Sequence, residues 1–170
     1  ANWVRSDATD VTIAAGGSAA DFVSAGTASL GVDFSGLSKF AYTFASTNII
    51  IMDWWAKLPA TGTGYTNMGI SNGAGTFAVD DTNTLNDRVI FSQSPAGALR
   101  AVICKNGTGR TATDISSGLT LTNWNNYRIE LDLSNNALFY VNGVLKATMS
   151  GANFPTAATG LTLGFGRSNT

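Results

Sequence analysis

The sequence predicts an all-β protein, built as an antiparallel two-sheet β-sandwich. Residues 127–133 alternate between apolar and charged side chains, the pattern of a strand with one buried and one exposed face. Similar β-prone runs recur about every 8–12 residues, with glycine and asparagine turns between them. No segment has the apolar spacing of an amphipathic helix. Together these features favour a sandwich over helical or mixed folds.

Length and composition favour one domain. The chain has 170 residues, of which 44% are hydrophobic and only 3 are proline, and it shows neither an internal repeat nor a linker. We therefore expect a single domain over residues 1–170 that folds without a cofactor. Residues 1–20, which include a run of Ala, Gly and Ser, are expected to form a flexible or edge-pairing N-terminal arm.

The centre of the prediction is the segment 123–149, in which three strands follow one another. The first strand turns four apolar side chains toward the core: Tyr127, Ile129, Leu131 and Leu133. An Asn-rich turn then reverses the chain. The second strand, 137–141, ends at Asn142-Gly143, a step whose tolerance of positive φ suits a tight hairpin turn. Trp124 is expected to anchor the start of this hairpin.

The other strands follow from the same alternation and turn signals. They are predicted at residues 3–5, 11–13, 22–23, 30–34, 40–44, 49–58, 65–71, 88–92, 99–105 and 161–165. Residues 111–121 are rich in Thr and Ser, so only the short run 119–121 is predicted as a strand there.

A family resemblance is carried by the order of these strands and turns. The residues that carry it are Trp124, Tyr-x-Ile-x-Leu-x-Leu at 127–133, Phe-Tyr-Val-Asn-Gly-Val-Leu at 139–145, Phe154-Pro155 and Leu-Thr-Leu-Gly-Phe-Gly at 161–166. Over residues 87–166 the pattern resembles the concanavalin A-like lectin/glucanase superfamily, in particular laminin-G-like sandwich domains and their relatives in phage tail and virion proteins. The resemblance implies a concanavalin A-like jelly-roll fold with a further strand beside the last predicted one. We expect either that the chain is trimmed before this strand, or that an N-terminal strand or a neighbouring subunit covers that edge.

The candidate ligand site lies in the strand 49–58. Alternation places its even-numbered residues in the core and leaves Asp53, Trp55 and Lys57 on the opposite face. An indole ring can stack on the C–H face of a sugar, while a carboxylate or an amide binds the hydroxyl groups. These three residues are the candidate carbohydrate-binding set. The alternative is that a loop or a subunit contact covers Trp55.

Oxygen ligands are concentrated in residues 80–87. Calcium takes about 6–8 oxygen ligands, and carboxylate and amide groups crowded in one loop could supply several of them. The candidate calcium ligands are Asp80, Asp81, Asn83 and Asp87. The EF-hand spacing is absent, and Asx-rich loops often bond only to their own turns, so both interpretations stay open at this point.

Glycoside hydrolysis would have to use Glu130 and Asp132. In the glucanases of the superfamily the strand motif resembles Glu-x-Asp-x-x-Glu or Glu-x-Asp-x-Glu, and these residues match its first two positions. Ser134 or Asn135 stands where the second glutamate belongs, and Glu130 is the only glutamate in the chain. The favoured interpretation is charge pairing on an exposed face.

Other enzyme classes are excluded more directly. The chain has no histidine, which removes Ser-His-Asp and Cys-His nucleophile systems and His-ligated catalytic zinc. Cys104, the single cysteine, is predicted to be a small buried side chain in a strand. We therefore expect no catalytic residue and no enzymatic activity.

Charge and hydropathy argue against nucleic-acid and membrane partners. The 10 basic and 11 acidic residues leave a net charge of -1, and the basic residues are scattered singly rather than in a stripe. The longest intense apolar run, 49–52, is far shorter than the ~20 residues of a membrane helix. A charged share of only 12% suits extracellular or assembled proteins.

Two classes of function fit these observations. The favoured hypothesis is a non-catalytic, lectin-like structural or adhesive module of a virion, such as a capsid decoration or a tail-fibre domain, with surface glycans as candidate ligands. The alternative is a free-standing carbohydrate-binding module or lectin assisted by calcium, and a glycoside hydrolase is a remote third. The expected partners are other subunits, in a homo-oligomer or a virion shell, and glycans. The expected location is the virion surface or the extracellular space.

Overall fold

The computed structural model describes residues 3–5, 11–13, 22–24, 28–33, 44, 49–62, 64–72, 77, 81–156 and 161–167. This part of the chain forms thirteen β-strands and no α-helix, and so contains no helix that could cross a bilayer. The strands are β1 (Trp3–Arg5), β2 (Val11–Ile13), β3 (Phe22–Ser24), β4 (Ala28–Asp33), β5 (Ile50–Ala56), β6 (Thr66–Ser71), β7 (Arg88–Gln93), β8 (Leu99–Lys105), β9 (Gly109–Asp114), β10 (Asn125–Leu131), β11 (Ala137–Val141), β12 (Val144–Met149) and β13 (Thr162–Arg167).

The described strands pair antiparallel and form two main sheets. One sheet has seven strands in the order β1-β4-β13-β6-β7-β8-β9, and the other has four in the order β12-β11-β10-β5. The short strands β2 and β3 pair with each other separately. The predicted antiparallel two-sheet sandwich is confirmed.

Aromatic rings join the two main sheets. Phe91 on β7 packs edge-to-face against Tyr127 on β10 and Phe139 on β11, with ring centroids 5.3 and 5.1 Å apart. Trp54 on β5 meets the same Phe91 ring at 5.7 Å. These separations and angles are those that aromatic pairs prefer. The rings lie in one continuous apolar core, to which both sheets contribute their inner faces.

The alternation predicted for the central strands is confirmed. Tyr127, Ile129 and Leu131 are buried, and the residues between them are half-buried on the outer face of the four-stranded sheet. Asn142 and Gly143 have φ values of 52° and 75°, as the tight turn between β11 and β12 requires.

Leu133 is the exception, because its side chain is 64% exposed rather than buried. β10 ends at Leu131. Asp132 then accepts hydrogen bonds from the backbone N–H groups of Ser134 and Asn136, at 2.8 and 2.9 Å. This Asx turn ends the extended conformation before Leu133 can take its place in the alternation.

The strand predicted at 119–121 is wrong. The strand in this region is β9, which pairs with β8, and residues 119–121 lie outside it. β9 is at the edge of its sheet and has no buried residue, so its sequence lacks the apolar alternation that identifies a strand. The strand predicted at 40–44 lies outside the described residues except for Phe44, which is buried in a turn.

The last strand is not at an edge. β13 lies inside the seven-stranded sheet and pairs with β4 on one side and β6 on the other. An N-terminal strand, β4, therefore covers β13, which is one of the arrangements expected from the sequence. β4 pairs in turn with β1. The extent of the domain and the arm at residues 1–20 stay predictions.

A β-bulge interrupts the pairing of β11 with β12. Phe139 pairs with Ala147, whereas Tyr140 pairs with Leu145, so Lys146 is the extra residue. The Lys146 ammonium donates a hydrogen bond to the carbonyl of Ser117 at 3.2 Å. β12 is an edge strand of the four-stranded sheet, and the bulge lies in that edge.

The buried phenol of Tyr127 predicts how the fold responds to alkali. Burial raises the pKa of Tyr127 to about 12, whereas an unfolded tyrosine titrates near ~10. The contribution of the neutral phenol to stability is therefore complete below pH ~10 and is lost as the pH rises through about 12. We expect the protein to unfold between pH ~10 and about 12. Circular dichroism should show the loss of structure, and the tyrosinate absorbance of Tyr127 should appear over the same pH range.

Tyr127→Phe should reduce this alkaline loss of stability, and Tyr140→Phe, which alters a half-buried ring on the outer face, should not. Ionisation of Tyr127 near pH ~10 in the folded protein would contradict the assignment.

Candidate functional site

Phe77 covers part of the outer face of the seven-stranded sheet. Phe77 is fully buried there against Ile90 and Val102, whose side chains point away from the main core. The Phe77 carbonyl accepts a hydrogen bond from Nδ2 of Asn67 at 3.0 Å. Gly166 makes this close approach possible, because a Cβ atom at that position would lie within 2.5 Å of Phe77.

Asp81 fixes the adjoining segment to the same face. Its carboxylate is fully buried, and Oδ2 lies 2.8 Å from Nη1 of Arg100 and 3.9 Å from Nη1 of Arg110. The hydrogen bond to Asp81 raises the pKa of Arg100. Arg100 and Arg110 come from neighbouring strands, β8 and β9, so one carboxylate ties the segment to both strands.

Asn83 and Asp87, two more of the candidate calcium ligands, are also bonded within the protein. Oδ1 of Asn83 accepts the N–H of Leu85 at 2.8 Å, which is an Asx turn. Asp87 accepts hydrogen bonds from Nδ2 of Asn72 at 3.2 Å and from the N–H of Asn106 at 3.1 Å. These contacts give each side chain a structural role in holding the segment 81–87.

The fourth candidate ligand, Asp80, lies outside the described residues. Across the described ranges, no three acidic or cysteine side chains come together as a group that could hold a metal ion. Calcium binding at this segment stays a prediction.

Cys104 lies beneath the segment 81–87. The residue is fully buried, and its Sγ lies 3.6 Å from the carbonyl oxygen of Asn83. Burial raises the pKa of the Cys104 thiol, which disfavours the reactive thiolate. The prediction that Cys104 is buried in a strand is confirmed.

The outer face of the four-stranded sheet, in contrast, carries exposed side chains. On β5, Trp55 is 65% exposed and Ile51 is 54% exposed, while Met52 faces the core. Asp53 and Lys57 are exposed as well. The three residues predicted as the carbohydrate-binding set thus lie on one exposed face.

Asn126 connects this set to the neighbouring strand. In the register of β5 and β10, Asn126 lies directly across from Trp55, and Arg128 lies across from Asp53. The Asn126 amide donates a hydrogen bond to the Asp53 carboxylate. Its backbone N–H donates to Oδ1 of Asn142 at 2.9 Å. A carboxylate and two amides are therefore held in fixed positions beside an exposed indole.

Lys57 lies over the ring of Trp124, with 5.3 Å between its Nζ and the ring centroid. Cation–π contacts of this kind at exposed sites contribute about 0.5–1 kcal/mol. Trp124 is 50% exposed and therefore contributes to the outer face instead of anchoring the hairpin from the core. We call the group on this face the Trp55 site; its members are Asp53, Trp55, Lys57, Trp124, Asn126 and Asn142.

Sequence reasoning found three members of the Trp55 site and missed Trp124, Asn126 and Asn142. A signal for two of them was present, because extending the alternation of β10 backward from Tyr127 puts Asn126 and Trp124 on the outer face. Their proximity to Trp55 depends on the pairing of β10 with β5, which no local pattern specifies.

Comparison with solved structures identifies the fold. The carbohydrate recognition domain of Emp47p matches 84% of this chain and 69% of its own, with a TM-score of 0.51 and 12% identity. A Bacteroides ovatus GH16 protein of a mixed-linkage glucan PUL, determined with a G4G4G3G product, matches 98% of this chain and 81% of its own, with a TM-score of 0.59 and 12% identity. This chain has a concanavalin A-like β-sandwich fold. No protein-family model and no curated protein matches the sequence.

The two matched structures are a carbohydrate recognition domain and a GH16 protein. Whether a chain with this fold can hydrolyse a glycan depends on its carboxylates and their surroundings. Glu130 forms an ion pair with Arg128 and lies 3.4 Å from the Tyr140 hydroxyl. Arg128 also lies over the Tyr140 ring, at 5.7 Å. Hydrogen bonds from Asn136 lower the pKa of Asp132. Glu130 is thus paired with a charge, as expected, whereas Asp132 is bonded within its own turn.

The ion pairs of Asp81 lead to a test that separates structural anchoring from calcium binding. We expect Asp81→Asn to lower the free energy of unfolding by about 1–2 kcal/mol, because two partly exposed guanidinium groups lose their partner. Asp114→Asn is the matched control, since Asp114 is exposed and lies across from the same Arg100. Its effect in urea unfolding should be smaller.

The wild-type Tm should be the same with calcium and with EDTA. A calcium-dependent rise in Tm that Asp81→Asn abolishes would show instead that Asp81 is a metal ligand.

Proposed function

We propose that this protein is a non-catalytic glycan-binding module and that the Trp55 site is its ligand-binding surface. The observation that carries the proposal is the 65% exposure of Trp55 beside the hydrogen-bonded pair of Asp53 and Asn126. A saccharide ring has an apolar C–H face and a rim of hydroxyl groups, so its recognition needs an aromatic surface and polar groups together. The Trp55 site offers both.

The packing of β5 supports this interpretation. The strand is already attached to the core through Met52, and Leu58 is buried just beyond its end. Trp55, Trp124 and Ile51 are each at least half exposed on the opposite face. Clusters of exposed apolar side chains mark interaction surfaces, because burying them against a partner is favourable and leaving them in water is not.

The environment of the two carboxylates supports binding over hydrolysis. A glycosidase needs one carboxyl group that stays protonated as the general acid, and this requires a raised pKa. The hydrogen bonds around Asp132 lower its pKa instead. Glu130, the only glutamate, is paired with Arg128. Asp132 therefore lacks the surroundings of a general acid, and the Glu130 carboxylate is already engaged by Arg128.

Trp55→Ala tests the proposal. We expect glycan affinity, measured on an array and then by calorimetry with the strongest hit, to fall by about tenfold or more, because stacking on the indole is lost. Stability should change little, since the ring is exposed. Trp55→Phe should restore part of the affinity. Leu85→Ala is the matched control, because Leu85 is a large apolar side chain that is 68% exposed elsewhere on the surface.

Two outcomes would contradict this proposal. One is glycan binding that Trp55→Ala leaves unchanged, which would place the site elsewhere. The other is release of reducing sugars from mixed-linkage glucan by the wild-type protein, which would show a hydrolase. Repeating the binding measurement in EDTA separates calcium-assisted binding from binding by the Trp55 site alone.

We also propose that the module works at a virion surface, as a capsid decoration or a tail-fibre domain. A charged share of 12% supports an assembled or extracellular setting. The resemblance of the strand pattern to phage tail and virion domains supports the same setting. Ile49 and Leu133, which are exposed apolar residues near the other end of the four-stranded sheet, offer a contact surface for neighbouring subunits.

Light scattering tests this assembly role. We expect the average mass to rise with protein concentration, and Ile49→Asp to reduce that rise, because a charge in an apolar contact is costly to desolvate. Leu85→Asp is the control for a general increase in surface charge, and it should leave the association unchanged. A wild-type protein that stays monomeric at high concentration would contradict the assembly role.

A further inference from the structure

Lys57 gives the Trp55 site a positive charge that faces solvent. The residue follows Trp55 by two positions on the same face, and its ammonium lies 5.3 Å from the centroid of the Trp124 ring. Among the ion pairs formed by described residues, none involves Lys57. Its charge is therefore held beside the stacking surface, where a ligand can reach it.

The neighbouring charged side chains on this face are engaged with one another or with an amide. Arg128 is paired with Glu130. Asp53, which lies across from Arg128, accepts a hydrogen bond from Asn126. Among the residues that the structure describes, Lys57 is thus the positive charge beside Trp55 that can pair with a ligand.

The two ends of the site differ in what they can bind. Asp53 and Lys57 lie four residues apart in extended chain, which separates their Cα atoms by about 13 Å. This distance exceeds the Debye length of about 8 Å at physiological salt, so each charge acts mainly at its own end. A ligand stacked on Trp55 meets a cation at one end. At the other end it meets a carboxylate and an amide, which bind hydroxyl groups.

We propose that the Trp55 site binds an acidic saccharide, with its carboxylate or sulfate group at Lys57 and its hydroxyl groups toward Asp53 and Asn126. This inference rests on the proposed glycan-binding function and names the class of ligand. The reverse orientation is disfavoured, because it would place the anionic group of the ligand next to Asp53. The site therefore selects both the charge of the saccharide and its direction.

Trp124 acts in this site as a positioning residue. Its ring holds the Lys57 ammonium by a cation–π contact. The lysine side chain is therefore restrained before binding and loses less conformational entropy when a ligand binds. Trp124→Leu should therefore weaken the binding of acidic saccharides more than that of neutral ones. Loss of a stacking surface for the sugar itself would weaken both equally.

The test is a glycan array in which each acidic saccharide stands beside its neutralised form. Uronate oligosaccharides are paired with their methyl esters, and sulfated oligosaccharides with their desulfated forms. We expect the protein to bind acidic members and to lose about fivefold or more in affinity when the same saccharide is neutralised. The relative signals of the two series show whether a carboxylate or a sulfate is preferred.

Charge variants of Lys57 identify the group that senses the anion. Lys57→Gln should lower the affinity for the strongest acidic hit by about threefold to fivefold and should remove most of its dependence on salt concentration. Lys57→Arg should retain both. Lys105→Gln, which removes a lysine on β8 of the other sheet, is the matched control and should change neither.

The outcomes separate this inference from the proposed function. Equal binding of acidic and neutralised saccharides would overturn the inference and leave glycan binding intact. The same holds if Lys57→Gln weakens both forms equally, because Lys57 would then act through packing rather than charge. Binding of no saccharide on the array would overturn the proposed function itself, and the inference with it.

Discussion

The packing of Phe91 against Tyr127 and Phe139 is the constraint on which the Trp55 site depends. These rings fix β10 and β11 to the opposite sheet with one set of residues inward. Side chains in a strand point alternately to its two faces. Asn126 immediately precedes the inward-facing Tyr127, so its side chain must point outward. A slip of one residue would bury the polar set and expose the aromatic core. The pairing of β10 with β5 then places Trp55 directly across from Asn126.

The two outer faces of the sandwich differ in what the described residues place on them. Phe77 and Asp81 lie on the seven-stranded sheet, where Gly166 leaves room for Phe77 and the arginines of β8 and β9 hold Asp81. The centre of that face, including Ile90, is fully buried. The four-stranded sheet presents indole rings and fixed polar groups at its surface. The exposed aromatic and polar groups described here therefore lie together on the smaller sheet, which is the face that the proposed function uses.

Sequence reasoning succeeded where the two faces of a strand differ sharply. The orientations of β10 and β11, and the exposure of Asp53 and Trp55, follow from a period of two. β9 escaped detection because an edge strand with no buried residue has no apolar face to recognise. The arginines that pair with Asp81 and the asparagine that lies across from Trp55 could not be predicted either, since they come from other strands. The hydrogen bond from Asn126 to Asp53, for example, joins residues 73 positions apart. Local composition predicted metal ligands in the segment 81–87, but it could not predict the guanidinium, amide and backbone N–H groups that Asp81, Asn83 and Asp87 contact, because most of these come from other parts of the chain.

The bulge at Lys146 limits how one molecule can join another. The bulge shifts the hydrogen-bonding groups of β12 out of register with those of a strand from another molecule, and Lys146 adds a charge at the same edge. Continuous intermolecular sheets are therefore disfavoured along β12. Copies of the protein can still meet through the side chains of their broad surfaces. For the assembly role proposed above, a bulged β12 edge would let copies stand close together on a particle without adding strands to one another along that edge.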